Sequence, residues 1–281
     1  MTFSLVLATY GLDKKVYITR FLNSVLAQKV DVEIIIVDQN TNAAFIHDIC
    51  EPFRNMLNII HLKSYPPSLS KARNIGLAKA SKDIIAFPDD DCFYTKNLLK
   101  NVGTYISDSG IDFISVMAVD DENGKPLPYS PLRKKQKITY QNTYKAITSI
   151  TLFHKRKFFI KFDEKFGIGG DYPSCEEFDY TISLIKSGAK GIYEPNLKVK
   201  HPNFVNNDFQ IIKNKIKINS VGHGAYFRKH ISLLWLSAVY YLIIAPIGGI
   251  IINTVLLKWK KVNIYKTILN SRLKGFINYR L

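Results

Sequence analysis

Three adjacent carboxylates, Asp89, Asp90 and Asp91, are the residues of this chain best suited to chemistry. They follow a short apolar run, Ile84 to Phe87, that is typical of a buried strand. Adjacent anions repel one another most strongly where water is scarce, so this group is expected to bind a cation. Mg2+ and Mn2+ favour carboxylate oxygens together with substrate phosphates. The alternative is a solvated turn in which one aspartate caps the next helix, although Thr95 can serve as that cap.

Charged residues near two other predicted elements extend this candidate site. Asp38 follows an apolar stretch, and Lys71 and Arg73 lie at the start of a predicted helix, where they could neutralise a diphosphate. Taken alone, Asp38 also fits an ordinary polar turn, and the two basic residues fit a solvated helix face. Neither a G-x-G-x-x-G nor a G-x-x-x-x-G-K-S/T pattern follows the first strand, which ends near Thr9. This disfavours Rossmann dehydrogenases, P-loop enzymes and sugar-nucleotide pyrophosphorylases.

Two glutamates open a later predicted helix. Glu176 and Glu177 follow a glycine-rich stretch, and the helix continues to Ser187. Acidic residues in the first turn of a helix are commonly partners of the helix dipole. The same residues also suit a general base at the mouth of a site, and the pattern alone does not decide between the two interpretations. His201, at the end of a later predicted strand, is either a ligand or a turn histidine.

Strands that alternate with helices must position these residues. Each strand is apolar throughout, which predicts a parallel sheet covered by helices on both faces. Ligands bind beyond the carboxyl ends of the strands in such sheets, where Thr9, Asp38 and the three adjacent aspartates all fall. The predicted strands are Phe3–Ala8, Val32–Val37, Leu57–Leu62, Ile84–Phe87, Phe113–Ala118 and Thr148–Phe153. The predicted helices are Val16–Gln28, Ala43–Phe53, Leu69–Lys79 and Lys96–Ser107, and Asp120–Lys137 is a polar loop.

Taken in order, the motifs of residues 3–203 resemble those of family 2 glycosyltransferases with the GT-A fold. The motifs are Leu5–Tyr10, Ile36–Asp38, Ser70–Gly76, Asp89–Asp91, Phe162–Gly167, Glu176–Asp179 and Val199–His201. The resemblance implies an α/β, Rossmann-like nucleotide-diphospho-sugar transferase domain over residues 1–203. It also implies an inverting transferase of bacterial surface polysaccharide biosynthesis that depends on Mn2+ or Mg2+. The donor would be a nucleotide sugar, and the acceptor a saccharide, lipid-linked in similar enzymes with such tails.

The resemblance assigns a role to each candidate on the donor side. Thr9, Tyr10 and Asp38 would hold the nucleotide base, and Arg73 would lie near the diphosphate, with Lys71 as its neighbour. Asp91 and His201 would bind the metal. The role of Asp89 is then a ribose or metal contact, and the role of Asp90 is the least defined of the three aspartates.

The catalytic base is implied in the same way. In the family the base is the second acid of a Glu-Asp pair, and Glu177 occupies that position in this chain. A glutamate in place of the aspartate adds a methylene, which changes the reach of the carboxylate and keeps Glu176 as an alternative base. The base would remove a proton from the acceptor hydroxyl as it attacks the anomeric carbon.

Charge and cysteine content indicate the kind of partner and the cellular compartment to expect for the protein. The net charge of the 281 residues is +16, and between Lys198 and Leu281 fourteen Lys or Arg stand against one acid, Asp208. This asymmetry predicts a basic C-terminal surface that faces something anionic. The three cysteines suggest neither a disulfide framework nor a zinc site, which favours a reduced compartment. A start without a basic stretch or cleavage site predicts a cytoplasmic catalytic part.

The C-terminal region, 204–281, is expected to be a membrane-associating extension. Asn206–Lys229 reads as a basic helix, and no charged residue occurs from Ile231 to Leu257, which is longer than the roughly 20 residues that span a bilayer. Pro246 and Gly248–Gly249 are expected to break this run, and both flanks are basic. Two short segments at the cytoplasmic face of the cell membrane are therefore favoured over a single span. A last helical pattern, starting at Val262, is either interfacial or one of a packed helical pair.

Two other functions compete with the transferase. The basic charge also fits a nucleic-acid-binding module, but here it accompanies an uncharged apolar run instead of aromatic residues in a polar groove, so no nucleic-acid partner is expected. A catalytically inactive assembly scaffold is the other alternative. Retention of every acidic candidate residue argues against the scaffold.

Overall fold

A computed structural model of the chain describes residues 1–42, 44–203 and 208–280. These residues form two compact units. The sheet unit consists of Met1–Phe162 and Tyr180–Asn203, and the helical unit consists of Asp163–Asp179 and Phe204–Leu281. The segment Asp163–Asp179, which contains Glu176 and Glu177, therefore groups with the C-terminal helices. The predicted division into domains 1–203 and 204–281 stays a prediction.

The sheet unit contains one mixed sheet of nine strands in the order β3-β2-β1-β4-β8-β6-β9-β5, with β7 paired to β9. The first four strands along the chain are parallel, as predicted, but β8 runs antiparallel to both of its neighbours, β4 and β6. The expectation of a purely parallel sheet is thus wrong, because an apolar strand does not reveal its direction. The strands are β1 Phe3–Thr9, β2 Val32–Asp38, β3 Asn58–Lys63, β4 Ile84–Ala86, β5 Phe93–Tyr94, β6 Phe113–Asp120, β7 Gln136–Ile138, β8 Leu152–Lys155 and β9 Gly191–His201.

Helices cover both faces of this sheet in accordance with the alternation of its side chains. On one face, Leu5 and Ile36 join a buried cluster with Phe21 of α1. On the other face, Gly76 of α3 lies so close to the sheet that an added Cβ would meet Val6 and come within 3.2 Å of Val37. The helices are α1 Lys15–Leu26, α2 Ala44–Cys50, α3 Leu69–Leu77, α4 Leu98–Asp108, α5 Thr143–Ala146, α6 Glu176–Lys186, α7 Phe209–Lys229, α8 Ile231–Val239, α9 Ala245–Val255 and α10 Trp259–Asn278.

Predicted and observed elements differ in a few places. The predicted strand Thr148–Phe153 begins instead with a 3-10 turn, Ser149–Thr151, because Thr148 and Thr151 form a reciprocal capping box. Ala43, Asn206 and Asn207, which were expected to lie in helices, fall outside the described residues.

The helical unit is built on close packing of α7 and α10. A Cβ on Gly275 would overlap the carbonyl oxygen of Val221, and a Cβ on Gly224 would overlap that of Arg272. The two helices can approach this closely only because glycine occupies both positions. The last helical pattern therefore belongs to a packed helical pair, which was the second of its two interpretations.

The apolar run of the helical unit is kinked within α8 at Leu234, where φ is −124° and ψ is 19°. Beyond Leu234 it stays helical through a π-helical turn, Tyr240–Ile244, into α9. The prediction that Pro246 and Gly248–Gly249 break the run is wrong. Pro246 lies in the first turn of α9, directly after the π-helical turn, and the first turn of a helix tolerates proline. Within the described part of the chain, Ile231–Val255 is the one helical run long and apolar enough to cross a bilayer, and 22% of its most apolar stretch is buried. Length and composition alone are weak evidence for a span.

Candidate functional site

The carboxyl edge of the sheet brings together Thr9, Asp38 and the three adjacent aspartates. β1 and β2 pair in register, so Thr9 and Asp38 end their strands side by side. β4 pairs with the other side of β1, and Asp89–Asp91 follow it in the chain. Strand register therefore places the predicted nucleotide-binding and metal-binding residues at one edge, the usual position of ligands in open α/β sheets.

Asp38 is fully buried, and its carboxylate accepts four hydrogen bonds. Oδ1 accepts from the backbone N and the side-chain Nδ2 of Asn40, both at 2.9 Å, and Oδ2 lies 2.7 Å from Nζ of Lys63 and 3.1 Å from Nε2 of His61. Burial alone would raise the pKa of Asp38, but the hydrogen bonds from Lys63 and Asn40 outweigh it and lower the pKa. Asp38 is therefore an ionised carboxylate whose lone pairs are already engaged.

The partners of Asp38 on β3 were not predicted. His61 and Lys63 are two positions apart, the spacing of one strand face, and Lys63 pairs in register with Asp38. The period-two spacing was the available signal, but it identifies a partner only once the neighbouring strand is known.

Asp90 is buried against the end of β1. Its Oδ2 accepts a 2.7 Å hydrogen bond from the hydroxyl of Thr9, and its Oδ1 lies 3.6 Å from Nζ of Lys14. Burial, together with the charges of Asp91 and Asp89, raises the pKa of Asp90 to about 6, against the opposing effects of Thr9 and Lys14. Thr9 is therefore committed to Asp90 through its side chain, and Lys14 is a cation of the site that sequence analysis missed.

Asp91 and His201 form the closest match to a metal-binding pair. Oδ1 of Asp91 lies 3.1 Å from Nε2 of His201, the last residue of β9. Burial opposes both charges, yet the contact lowers the pKa of Asp91 and raises the pKa of His201. The two side chains therefore form an ion pair.

The type and spacing of the two ligand atoms, one carboxylate oxygen and one imidazole nitrogen, fit a divalent ion. Neighbouring ligands of an octahedral Mg2+ with bonds of about 2.1 Å are about 3 Å apart, close to the Asp91–His201 separation. Across the described ranges 1–42, 44–203 and 208–280, no group of three or more His, Cys, Asp or Glu is placed to hold a metal ion. An ion at this position would therefore take its remaining ligands from substrate phosphates and water, as Mg2+ commonly does.

Arg73 and Asp89 form a second ion pair at this edge. Arg73 is 1% exposed, its guanidinium donates to Oδ1 of Asp89 at 3.0 Å, and it lies over the ring of Phe162 at 5.4 Å. The Asp89 side chain is 39% exposed and so remains accessible to a ligand. Lys71 is half-buried in the first turn of α3, and Tyr10, just after β1, is exposed.

Tyr129 is a residue of the candidate site that sequence analysis did not select. Its ring packs edge-on against His201 at a centroid distance of 6.2 Å. Burial and the charges of Asp89 and Asp91 raise its pKa. Tyr129 comes from the predicted polar loop, and only the fold brings that loop to the acidic residues.

The two candidate bases lie in the helical unit. Glu176 is buried and Glu177 is half-buried, in the first turn of α6. The preceding residue, Cys175, has a φ of 71°, a left-handed conformation that costs a non-glycine residue of order 1–3 kcal/mol. Surrounding contacts must therefore hold this turn in place. Exposure favours Glu177 over Glu176 as the residue that could reach a substrate.

Known proteins with related sequences transfer sugars. The family model described as Glycosyl transferase family 2 matches residues 4–171. Poly(ribitol-phosphate) beta-N-acetylglucosaminyltransferase TarS of Staphylococcus aureus (strain Mu50 / ATCC 700699) is 30% identical over 139 residues, which are 48% of this chain. Those residues are 24% of TarS, so the chain matches about a quarter of the length of this relative.

Solved structures of low identity share the fold. A crystal structure of S. aureus TarS 1–349 in complex with UDP-GlcNAc has a TM-score of 0.59 at 16% identity, covering 98% of this chain and 92% of that one. The mannosyltransferase PcManGT from Pyrobaculum calidifontis, in complex with GDP-Man and Mn2+, has a TM-score of 0.68 at 13% identity. It covers 98% of this chain and 87% of that one. The likeness indicates the GT-A architecture.

Proposed function

This chain belongs to glycosyl transferase family 2, and we propose that it is a metal-dependent inverting transferase that moves a sugar from a nucleotide-sugar donor to a lipid-linked saccharide. The observation that carries the proposal is the 3.1 Å contact of Asp91 with His201 at the edge where Thr9 and Asp38 also end their strands. The TarS and PcManGT structures, solved with UDP-GlcNAc and GDP-Man, support a nucleotide-sugar donor.

On the donor side, the buried ion pairs hold charged groups at fixed positions before a ligand arrives. Arg73, fixed by Asp89 and Phe162, provides positive charge for a diphosphate, with Lys71 on the same helix turn. The Asp89 side chain is partly exposed and would contact a ribose hydroxyl or the metal. Asp38 is proposed to help bind the nucleotide base. Because its carboxylate already has four partners, Asn40 and Lys63, which contact it, would provide the groups that bind the nucleotide base.

Asp91 and His201 are the residues that would hold Mn2+ or Mg2+. When bound, such an ion supplies positive charge against the diphosphate of the departing nucleotide. The Mn2+ in the PcManGT structure supports this choice of cofactor. Lys14, next to Asp90, adds a further cation at the same edge.

In the proposed reaction, Glu177 accepts the proton of an acceptor hydroxyl while the oxygen attacks the anomeric carbon. The bond from that carbon to the nucleotide diphosphate breaks on the opposite face, so the configuration inverts. The nucleotide diphosphate leaves as an anion. Glu176 is the alternative base, but its burial makes it less accessible.

The acceptor is proposed to lie at the cytoplasmic face of the cell membrane, in surface polysaccharide assembly. Large apolar side chains are exposed along the helical run, including Trp235, Leu236, Ile251 and Val255. The exposed residues Lys258, Lys260 and Lys261 follow this run and suit anionic lipid headgroups. An apolar face next to a basic cluster favours a lipid surface over nucleic acid.

A screen of nucleotide sugars with Mn2+ tests the donor half of this proposal, with released nucleotide diphosphate as the readout. One donor is expected to be turned over, and Asp91→Asn is expected to abolish that turnover. Turnover of a donor that is unaffected by both metal chelation and Asp91→Asn would disprove the assigned site.

Flotation tests the membrane half. The full chain is expected to float with vesicles of phosphatidylglycerol and phosphatidylcholine, and the double variant Trp235→Ser, Leu236→Ser is expected to float less. Salt-sensitive DNA binding in a gel shift, without flotation, would favour the nucleic-acid module.

A further inference from the structure

The short segment that carries both candidate bases lies along one face of α7. Its contacts fall on α7 residues three or four positions apart, which is the spacing of a single helix face. The segment is Ser174–Asp179, and all of its contacts described below are within the helical unit. The contacted residues are Asn219, Gly222, His223, Tyr226 and Lys229, followed by the cap residue His230.

The start of the segment is fixed by backbone proximity. The hydroxyl of Ser174 donates a 2.8 Å hydrogen bond to the carbonyl oxygen of Asn219. One turn further along α7, a Cβ on Gly222 would overlap the Ser174 hydroxyl and lie 2.8 Å from its carbonyl oxygen. Glycine at 222 therefore lets the segment lie directly against the helix backbone.

The middle of the segment is fixed by aromatic packing. Phe178, the residue after Glu177, packs against Tyr226 at a centroid distance of 5.9 Å and against His223 at 6.1 Å. Because Phe178 points to α7, its neighbour Glu177 cannot rotate about the axis of α6 without losing this contact.

The end of the segment is fixed by a buried charge network. Asp179 is 2% exposed, and its Oδ1 lies 2.7 Å from Nζ of Lys229 and 2.8 Å from Nε2 of His230. Lys229 also donates to Asp163 at 2.8 Å. Loss of one partner from such a network leaves a buried charge incompletely paired, which disturbs the position of the others.

We propose that this face of α7 positions the catalytic carboxylate, with Lys229 and His230 as positioning residues that act through Asp179. The inference rests on the proposed role of Glu177 as base. It extends that role by making the C-terminal helices part of the catalytic apparatus in addition to any membrane contact. His230 directly precedes Ile231, so the apolar helical run begins at the same network that holds the base.

The test uses the full chain with Lys229→Met, His230→Leu and His230→Gln, the last of which keeps a donor for Asp179. The matched control is Lys82→Met, since Lys82 pairs with Asp31 at 2.9 Å and its side chain is 24% exposed, as is that of Lys229. Lys229→Met and His230→Leu are expected to lower kcat for sugar transfer at least roughly tenfold with KM for the donor within about twofold, by analogy with misplacement of catalytic groups. His230→Gln is expected to recover most of the rate.

The first donors to use in the kinetic assay are UDP-GlcNAc and GDP-mannose. Hydrogen exchange provides a second readout, which does not depend on identifying the donor. Backbone amides of residues 176–179 are expected to exchange faster in Lys229→Met and His230→Leu than in His230→Gln or Lys82→Met. Unchanged exchange, or unchanged kcat in both disruptive variants, would overturn the inference. Where His230→Leu does not fold, Asp179→Asn, which has nearly the same shape, replaces it with the same expectation.

Glu177→Ala separates this inference from the proposed function. If Glu177→Ala still transfers sugar, the assignment of the base fails, whatever the α7 variants do. If Glu177→Ala is inactive while Lys229→Met and His230→Leu match the wild-type kcat, only the positioning role fails.

Discussion

His201 lies 3.1 Å from Asp91, and this contact joins the end of β9 to the loop after β4. Both side chains are largely buried, with exposures of 18% for His201 and 14% for Asp91. Each therefore satisfies the charge of the other in a region where water is restricted. The proposed cation would have to displace the proton of His201 as well as break this contact, because a metal-ligating imidazole is neutral.

Replacing Asp91 and His201 one at a time should separate their contributions to the Mn2+ dependence of turnover. Asp91→Asn is expected to lower turnover at least roughly 100-fold, because a neutral amide is a much weaker ligand for a hard cation, and His201→Gln about tenfold. Turnover against Mn2+ concentration measures both effects, and the exposed His47→Gln serves as control. Identical Mn2+ dependence in wild type and both variants would contradict the assignment.

The two glutamates should differ in their effect on transfer. Glu177→Ala is expected to lower kcat by roughly 10²- to 10⁴-fold, the range for loss of a general base, and Glu176→Ala by less. Glu177→Asp restores the residue type that the family resemblance implies at this position and is expected to keep more activity than alanine. Single-turnover transfer measures the rates. A larger loss for Glu176→Ala would exchange the two roles.

Helix packing gives a prediction of stability. Gly275→Ala is expected to lower the free energy of unfolding by about 1–3 kcal/mol, because its Cβ would overlap the Val221 carbonyl oxygen. Gly248→Ala is the matched control, since nothing lies within 4 Å of its added Cβ, and it is expected to change stability by no more than about 1 kcal/mol. Urea unfolding in detergent compares the two. If Gly275→Ala and Gly248→Ala lower the free energy of unfolding equally, the close approach of α7 and α10 at Gly275 does not contribute to stability.

Buried His154 predicts a loss of stability in acid. Burial lowers the pKa of His154 to about 4, and the hydroxyl of Tyr180 lies 2.8 Å from its Nε2. The folded pKa is below the ordinary value of about 6.5, so between these values the unfolded chain binds more protons. Stability from this group is therefore complete above pH 6.5 and is lost as the pH falls towards 4, by up to about 1.4 kcal/mol per pH unit.

The measurement is the urea midpoint from pH 7.5 to 4.5 for wild type and His154→Gln. The variant is expected to show a shallower fall with decreasing pH, even if it is less stable throughout. An equal or steeper fall in the variant would show that His154 is not the group responsible.

Local patterns in the sequence are sufficient to predict the elements that carry the candidate site. The apolar runs of β1, β2 and β4, each followed by a polar residue, predict both the strands and the edge where Thr9, Asp38 and Asp89 meet. That prediction works because a fully buried parallel strand has a simple signal, and the carboxyl ends of parallel strands share one edge.

Partners set by register or by distant packing could not be predicted. Lys63 reaches Asp38 only because β3 pairs with β2 in one register, and Lys14 reaches Asp90 only because of the turn before α1. The antiparallel direction of β8 depends on the path of a long connection and not on its composition. The attachment of Asp179 to Lys229 and His230 likewise joins segments whose own periodicity says nothing about each other.

The contacts of residues 172–179, which include Glu176 and Glu177, also set the order of events during synthesis. Ser174 bonds to Asn219, 45 residues further along, and Tyr172 bonds to Asn278, 106 residues further along. At roughly 5–20 residues per second, a ribosome needs about 5–20 seconds to supply the more distant partner. The strands of the sheet edge can pair before then, whereas Tyr172, just before the acidic residues, acquires this contact only after α10 has been synthesised. A nascent chain can thus pair the strands that end at Thr9, Asp38 and Asp89 before it fixes the turn that carries Glu176 and Glu177.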